Sequence, residues 1–329
     1  MQSNETQDIN NRLSQSASSG NVSAIPDNSG LAPKKKKPRQ ANITIVCGMT
    51  GVGKSHGIIS EIKACLKPDP SKGKLARPAF LLDVNIEPEY KQLFPRTIRV
   101  SQIRNVISPE CYRIIPNHPD GTSMNASEIR ELCVKLCKLQ VFNAMAVLDD
   151  YDNYASGSSK TRDMTSIFMS NRHRGQDLIL VHQDLGMISQ IELRNATLFR
   201  LHKCNQSVDM IRERFSNYSI IKISELIINE QFDLAEDAYS KGLISEDERN
   251  KRRSFFLYIN IRTNKIQSNI SKTCFIRNCK RYLRLDKKTY SDYVTMELDG
   301  VVGHRTRDEI MEDIIEQQFM RYYTVPSAK

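Results

Sequence analysis

The chain has 329 residues, 39% of them hydrophobic, and a formal net charge of +10 at pH 7. This length allows one or two domains, and the apolar content is enough for a sizeable core. No apolar run approaches the roughly eighteen residues of a membrane span, and the polar N-terminus is unlike a signal peptide. The charge favours an acidic partner such as nucleic acid, although a basic tail that only aids solubility accounts for it equally well.

The first forty residues are expected to be disordered. They are rich in Ser, Asn, Gln and Gly and lack an apolar period, a composition that cannot build a packed core. They end in the basic sequence PKKKKPR at residues 33–39. The run from Lys34 to Lys37 fits a nuclear import signal, a patch that touches DNA, or a solvated charge run, and the sequence leaves these open.

The sequence GMTGVGKS at residues 48–55 fits the phosphate-loop pattern GxxxxGK[ST]. The apolar strand Ile43–Cys47 leads into it, and isoleucines follow at helical spacing, which is the context this motif needs. Glycines let the backbone N–H groups surround phosphate at the positive end of a helix. Lys54 is expected to reach the β and γ phosphates, and the Ser55 hydroxyl to bind Mg²⁺. The predicted nucleotide contacts are Gly48, Thr50, Gly51, Val52, Gly53, Lys54 and Ser55.

From residue 41 onward, apolar strands alternate with helices, which predicts an α/β fold with a mostly parallel sheet flanked by helices. The predicted strands are Ile43–Cys47, Ala79–Leu82, 112–115, 144–148, 178–181 and Leu198–Leu201. The predicted helices in this part run from the phosphate loop to about residue 65, from a cap at Ser127, and around residues 164–169.

Residues 224–253 predict two further helices. Ser224 is expected to cap the first and Gly242 to end it, and Ser245 with Glu248 predicts a capping box for the second. The apolar run at 255–261, followed by Ile266, predicts a hairpin. The chain then alternates basic and aromatic residues, most clearly at 272–284, a segment expected to bind nucleic acid or else to be a solvated face, and it ends in a helical stretch at 307–321. The predicted parts are therefore a tail at 1–40, a nucleotide-binding core at 41–268 and a basic C-terminal extension at 269–329.

Two polar strand ends complete the predicted site. Asp149 and Asp150 follow the apolar strand at 144–148. Behind a phosphate loop, the first carboxylate is expected to hold the Mg²⁺ shell and the second to polarise the attacking water. Gln183 closes the strand at 178–181 and is suited to sense the γ-phosphate or the water. A solvated strand end is the plain alternative for each.

Several arginines could supply a cation to a neighbouring subunit's γ-phosphate, which would neutralise charge in the transition state. Arg172 is the first candidate, with Arg194 in reserve, and Arg174 and Arg200 are further members of this set. Contacts to DNA or to surface acids are an equally good interpretation of any one of them.

In this order, the segments resemble the FtsK–HerA superfamily of DNA-pumping ATPases. They are GMTGVGKS, LLDVNIEPEY at 81–90, MAVLDDYDNY at 145–154, MSNRHRGQDLILVHQD at 169–184 and ELRNATLFRLHK at 192–203. Within that group the chain is most similar to the genome-packaging ATPases of double-jelly-roll and giant viruses. The resemblance covers about residues 41–265. It implies a RecA-like (ASCE) P-loop NTPase core with an extra strand between the two Walker strands. The Asp150 position is often Glu in the wider superfamily.

The same resemblance implies ATP and Mg²⁺ as cofactors, a homo-oligomeric ring, double-stranded DNA in its pore, and a capsid or vertex protein as partner. We therefore expect an ATP-hydrolysing DNA translocase that packages a viral genome, located in the virion or the host-cell interior. The alternatives are a filamentous-phage-type assembly ATPase, a superfamily 3 helicase, and an ATP-binding switch or scaffold without turnover. A small-molecule kinase would need a substrate lid that the sequence does not indicate.

Overall fold

The computed structural model describes residues 41–106, 108–139, 143–155, 167–168, 175–267, 269–288, 290–291 and 306–324. In these residues the strands are β1 (Ile43–Cys47), β2 (Ala79–Leu82), β3 (Cys111–Ile114), β4 (Met145–Leu148), β5 (Asp177–His182), β6 (Leu198–Leu201), β7 (Leu257–Asn260) and β8 (Lys265–Gln267). The α-helices are α1 (Lys54–Leu66), α2 (Pro88–Leu93), α3 (Ala126–Lys138), α4 (Gln190–Asn195), α5 (Tyr218–Ser240), α6 (Glu246–Arg253), α7 (Lys272–Leu285) and α8 (Arg307–Ile314). The tail at 1–40 and most of the helix predicted around 164–169 lie outside the described residues.

The strands form one sheet in the order β3-β2-β4-β5-β1-β6-β7-β8. Neighbours from β3 to β6 are parallel, and β7 and β8 add an antiparallel hairpin. Strand β5 lies between β1, which leads into the phosphate loop, and β4, which ends at the acidic pair. This inserted strand is the arrangement of a RecA-like (ASCE) core, so the predicted fold class is confirmed.

The central strands are buried on both faces, which is why they read as continuous apolar runs rather than as alternating ones. In β1 every residue is buried. Ile45 and Cys47 face one apolar cluster, and Val46 faces the other. Because parallel strands all end at the same edge, the loops after β1, β2, β4 and β5 meet there. This edge brings the predicted polar residues together.

Two predicted helix starts are wrong. Helix α3 is capped by Asn125, whose side chain accepts from the backbone N–H groups of Ser127 and Glu128, so Ser127 lies inside the helix. Helix α5 begins at Tyr218, and Ser224 is buried within it, where its hydroxyl donates to the carbonyl of Ile220. A Ser that bonds back to the preceding turn satisfies its hydroxyl inside a helix, which the sequence pattern does not distinguish from a cap.

The predicted end of α5 and the predicted hairpin are confirmed, and the capping box at the start of α6 is confirmed only in part. Gly242 follows α5 with φ 67°, the left-handed conformation that favours glycine after a helix. The Ser245 hydroxyl accepts from the backbone N–H of Glu248 at the start of α6, which is one half of the predicted capping box. The Glu248 carboxylate instead accepts from Nε of Arg252. Strands β7 and β8 pair antiparallel as the predicted hairpin.

The described residues beyond β8 pack on the same core as the sheet. Helix α7 buries one face, and α8 continues through a π-helical turn at Ile315–Phe319. The buried side chains of α7 that join the main apolar cluster are Cys274, Phe275, Cys279, Tyr282 and Leu283. None of the helices described is long and apolar enough to cross a membrane.

Candidate nucleotide site

The phosphate loop joins β1 to α1 and requires glycine at two positions for different reasons. Gly53 has φ 76°, and a Cβ there would lie 2.6 Å from the Cβ of Ser254. Gly48 has no unusual φ, but a Cβ would lie 2.5 Å from the Cβ of His202. Both approaches are too close for any side chain, so the loop is held against β6 and the α6–β7 junction. The backbone N–H groups of Gly48 and Met49 also tie the loop down, since they donate to the carbonyls of His182 and Lys203.

The Lys54 side chain bends over the loop that precedes it. Its Nζ donates to the carbonyl oxygens of Gly48, at 2.6 Å, and Met49, at 2.9 Å. Burial lowers the pKa of Lys54, partly offset by neighbouring acidic groups. The ammonium group is therefore fixed at the loop, where a bound phosphate would give it the counter-charge it lacks. Thr50 reaches across and donates weakly to the Gln183 side-chain oxygen at 3.4 Å.

A cleft of about 370 Å³ opens at this edge of the sheet. It brings together most of the predicted nucleotide, metal and catalytic residues, while the buried Gly48 and Val52 lie behind its wall. The residues that line it are Thr50, Gly51, Gly53, Lys54, Ser55, His56, Asn85, Glu87, Glu89, Asp149, Asp150 and Gln183.

Asp150 is held in place by two amide groups. Its carboxylate accepts from the side-chain N–H groups of Asn85, after β2, and Gln183, after β5. Its backbone has φ 46°, a left-handed conformation in which Asp is one of the better tolerated residues. The Asp150 carboxylate is thus held in the cleft by residues that follow three different strands, β2, β4 and β5. Such a fixed position suits a group that orients an attacking water.

Asp149 is nearly fully buried beside it. Burial raises the pKa of Asp149 to about 6, the charge of Asp150 adds to this, and Tyr90 with the backbone N–H of Asp150 works against it. The Tyr90 hydroxyl faces both Asp149 and Ser55. A carboxylate that is costly to ionise when alone gains most from a nearby cation.

The donor set fits Mg²⁺ bound together with a nucleotide. Among the described residues, no group of three His, Cys, Asp or Glu side chains could hold a metal by itself. Mg²⁺ in such sites takes one or two protein oxygens and completes its shell with phosphate and water. Ser55 and Asp149 would supply those oxygens, and Lys54 with the glycine-containing loop would take the phosphates.

A third carboxylate, that of Asp152, fixes the end of β5. One of its oxygens lies 2.6 Å from Nδ1 of the buried His182, and the other accepts from the backbone N–H groups of Gln183, at 2.8 Å, and Asp184, at 3.2 Å. Burial alone would raise the pKa of Asp152, but the hydrogen bond and charge of His182 and the two N–H groups lower it overall. This clamp sets the position from which Gln183 reaches Asp150.

The turn after β2 is fixed by a buried ion pair. Arg113 on β3 donates from Nε to the Asp83 carboxylate at 2.8 Å, and its Nη2 lies at the same distance. The other carboxylate oxygen of Asp83 accepts from the backbone N–H of Glu87 at 3.0 Å. Asn85 lies inside this turn, so the ion pair positions the amide that holds Asp150.

On the other side of the loop, Arg200 and His202 lie beneath it. Arg200 is fully buried, forms an ion pair with Glu61, and donates to the backbone carbonyl of Lys54 at 3.0 Å. His202 Nδ1 lies 3.1 Å from the carbonyl of Val52, and burial lowers the pKa of His202 well below its ordinary value. The interpretation of Arg200 as a cation that reaches a neighbouring subunit is therefore wrong.

The remaining arginine candidates divide between described and undescribed parts of the chain. Arg172 and Arg174 lie outside the described residues. Arg194 is exposed near the end of α4. The N–H of Thr197, just beyond it, donates to Ile43 at the start of β1. Arg194 therefore lies at the edge of the sheet opposite its own phosphate loop.

Three residues that support the site, Asn85, Tyr90 and Asp152, were not predicted from the sequence, and neither were the cleft-lining His56, Glu87 and Glu89. The first three show what the sequence could and could not indicate. Each lies inside a segment that carries the family resemblance, shortly after a strand that ends at the cleft. A polar residue within a few positions of such a strand end is the signal that could have identified Asn85 and Asp152. Tyr90 has no such signal, because a tyrosine in a short helix is usually a packing residue.

The sheet order, the phosphate loop and the acidic strand end together define a P-loop NTPase fold. No family model matches the chain, and no curated protein matches it. The fold assignment rests on the strand order.

The similar structures include two of viral proteins. The genome-packaging NTPase B204 of Sulfolobus turreted icosahedral virus 2, with ATPγS, is 16% identical over 69% of this chain and 95% of its own, with a TM-score of 0.43. B204 of Sulfolobus turreted icosahedral virus, described as a DNA-packaging ATPase, is 17% identical over 70% and 98%, with a TM-score of 0.40. The N-terminal domain of zonular occludens toxin from Neisseria meningitidis is 17% identical over 51% and 79%, with a TM-score of 0.32.

Proposed function

We propose that this chain hydrolyses ATP with Mg²⁺ and uses that energy to move DNA, as in the packaging of a viral genome. The observation that supports hydrolysis is the cleft. It places Lys54 on the phosphate loop opposite an Asp150 carboxylate that Asn85 and Gln183 hold. In this proposal Lys54 binds the β and γ phosphates, Ser55 and Asp149 hold Mg²⁺, Asp150 polarises the water, and Gln183 senses the γ-phosphate.

Hydrolysis is tested by steady-state turnover of Lys54→Ala and Asp149→Asn with saturating ATP and Mg²⁺. Each should lose turnover by roughly a hundredfold or more, because groups that stabilise developing phosphoryl charge have effects of this size. The matched control is Lys63→Ala, which removes an exposed lysine from the same helix and should leave turnover unchanged. Normal turnover in purified Lys54→Ala would contradict the proposal, and nucleotide binding without turnover in the natural chain would favour the switch or scaffold.

The proposal of a nucleic-acid partner rests on charge. The net charge is +10. On α7, Lys272, Arg281 and Arg284 are exposed, whereas Phe275 and Tyr282 are buried. Aromatic rings that are buried cannot stack on bases, so α7 is suited to phosphate contacts only. Such contacts bind any sequence and weaken steeply with salt, because each releases counterions.

This partner is tested by fluorescence titration with duplex DNA of several sequences at several salt concentrations. Replacing Arg281 and Arg284 together by Gln should weaken binding to every duplex alike. It should also reduce the slope of log affinity against log salt by about two. The control carries the same charge change elsewhere, at the exposed Arg104 and Lys135. DNA affinity that does not change with salt concentration, or binding to one DNA sequence only, would contradict the proposal that the chain moves DNA.

We also propose a ring in which a neighbour completes the site. No arginine is among the described residues that line the cleft, so a second cation for the γ-phosphate would come from the undescribed segment or from another subunit. Arg172 remains the first candidate and Arg194 the reserve. Such a ring would work at a capsid vertex, in the virion or the host-cell interior.

Mixing variants tests the ring. Arg172→Ala subunits should bind ATP without hydrolysing it. Adding Lys54→Ala subunits should restore part of the turnover, because a Lys54→Ala subunit can offer its arginine to a neighbour with an intact phosphate loop. No recovery in rings shown to exchange subunits would exclude Arg172 as a group that acts across the interface. A protein that stays monomeric in the presence of ATP and DNA would contradict the ring proposal.

A further inference from the structure

Tyr90 carries a buried hydroxyl that lies beside the two proposed metal ligands. The side chain is fully buried in α2, and its hydroxyl has no hydrogen-bond partner of normal length and angle in the protein. That hydroxyl faces the side chains of Ser55 and Asp149. These are the two residues that would hold Mg²⁺, so the unpaired group points at the metal position.

The apolar surroundings of the Tyr90 ring explain why an aromatic side chain is buried there, but they do not explain why it carries a hydroxyl. The ring packs in an apolar cluster with Ile58 and Ile62 of α1, Val147 of β4 and Phe94 just after α2. A phenylalanine would fill the same space without a polar atom, as Phe94 does. A buried hydroxyl without a partner destabilises the folded protein. Its presence therefore indicates a role beside the metal position, where the neighbouring Asp149 carboxylate is its acceptor once a cation holds that carboxylate ionised.

We propose, on the basis of the proposed function, that Tyr90 is a positioning residue of the Mg²⁺ site. Its hydroxyl donates to the Asp149 carboxylate when the ion is bound and fixes which face of that carboxylate meets the ion. Hydrogen-bond partners of metal ligands commonly contribute tenfold to a hundredfold in metal affinity.

The test measures metal affinity directly. Mn²⁺ is titrated into the full chain with ATPγS, and free Mn²⁺ is followed by electron paramagnetic resonance. Tyr90→Phe removes only the hydroxyl and should weaken Mn²⁺ binding by about tenfold or more. The matched control is Tyr112→Phe, a buried tyrosine of β3 that belongs to the apolar cluster on the other face of the sheet. Its Mn²⁺ affinity should equal that of the natural chain.

A second readout separates metal positioning from packing. The Tyr90→Phe variant should need more Mg²⁺ for half-maximal turnover and should recover turnover at high Mg²⁺, whereas a packing defect would lower turnover at every Mg²⁺ concentration. Equal Mn²⁺ affinity in the natural chain and Tyr90→Phe would overturn the Tyr90 proposal. An unfolded Tyr90→Phe would overturn it too, since the hydroxyl would then be holding the fold. If the natural chain itself does not bind Mn²⁺ with ATPγS, the proposed function fails instead.

Discussion

The two sides of the phosphate loop use polar residues in opposite ways. On the side of β2, β4 and β5, the polar groups open into the cleft, and Asp150 is held there by amides from two other strand ends. On the side of β6 and β7, Arg200 and His202 are fully buried and bond to the backbone of the loop or of α1. The cleft side presents polar groups that could take part in chemistry, and the buried side fixes the shape of the phosphate loop on which that chemistry would depend.

This difference separates two kinds of effect. A change on the cleft side removes a group that would face nucleotide, metal or water, so it should alter turnover with little effect on folding. A change on the buried side leaves a charge or a carbonyl without its partner inside the protein, so it should alter stability first. The clamp at Asp152 lies between these cases, because it is partly buried and acts on the cleft through Gln183.

The largest expected effect is that of Asp150→Asn. The amide keeps the shape of the carboxylate but loses the charge that polarises water, so turnover should fall by about 10²–10⁴. ATP affinity and the thermal midpoint should stay close to those of the natural chain. The control is Asp233→Asn, an exposed carboxyl in the middle of α5, measured with the same turnover, binding and melting assays. Turnover within a few-fold of normal would show that Asp150 has no part in activating water.

The next largest effect is expected from Arg200→Met. This change leaves Glu61 without its ion pair and the carbonyl of Lys54 without its donor. Breaking a buried pair costs about 3–5 kcal/mol, and the partial exposure of Glu61 places this case near 3 kcal/mol. Urea unfolding should show that loss, and the weakened loop should also bind ATP less tightly.

Arg104→Met is the matched control for Arg200→Met, since Arg104 is exposed. It should unfold within about 0.5 kcal/mol of the natural chain. If Arg200→Met lost turnover with unchanged stability, Arg200 would belong with the cleft side and the contrast between the two sides would be wrong.

The sequence predicted the elements that local patterns define. The phosphate loop between an apolar strand and a helix led to the correct β1 and α1, and the acidic pair after an apolar strand led to the correct edge of β4. The inserted position of β5 came from the family resemblance rather than from the pattern, because pairing between strands distant in sequence leaves no local signal.

The sequence could not predict the supporting contacts for the same reason. Arg200 and Glu61 are far apart in the chain and meet only because β6 pairs with β1 under α1. The basic and aromatic alternation in α7 indicated a surface that binds nucleic acid, but its rings proved to be core residues. A helix places residues three or four apart on one face. The same alternation of basic and aromatic residues therefore also fits a helix with a buried aromatic stripe beside an exposed basic one.

The smallest of these effects is expected from Asp152→Asn, and it depends on pH. The amide cannot accept from His182 and from two backbone N–H groups as strongly as a carboxylate does, which should cost about 1–3 kcal/mol of stability at neutral pH. The folded-state pKa of Asp152 lies below its ordinary value of 3.8. Its contribution is therefore complete above that ordinary value and is lost as the pH falls through the lower folded value. Urea unfolding from pH 7 down to pH 3 should show the stability difference between the two chains shrinking only at the acid end. Turnover should fall as well, because Gln183 loses its fixed position. The control is again Asp233→Asn, and a stability difference that stayed constant down to pH 3 would show that the charge of Asp152 is not what holds the end of β5.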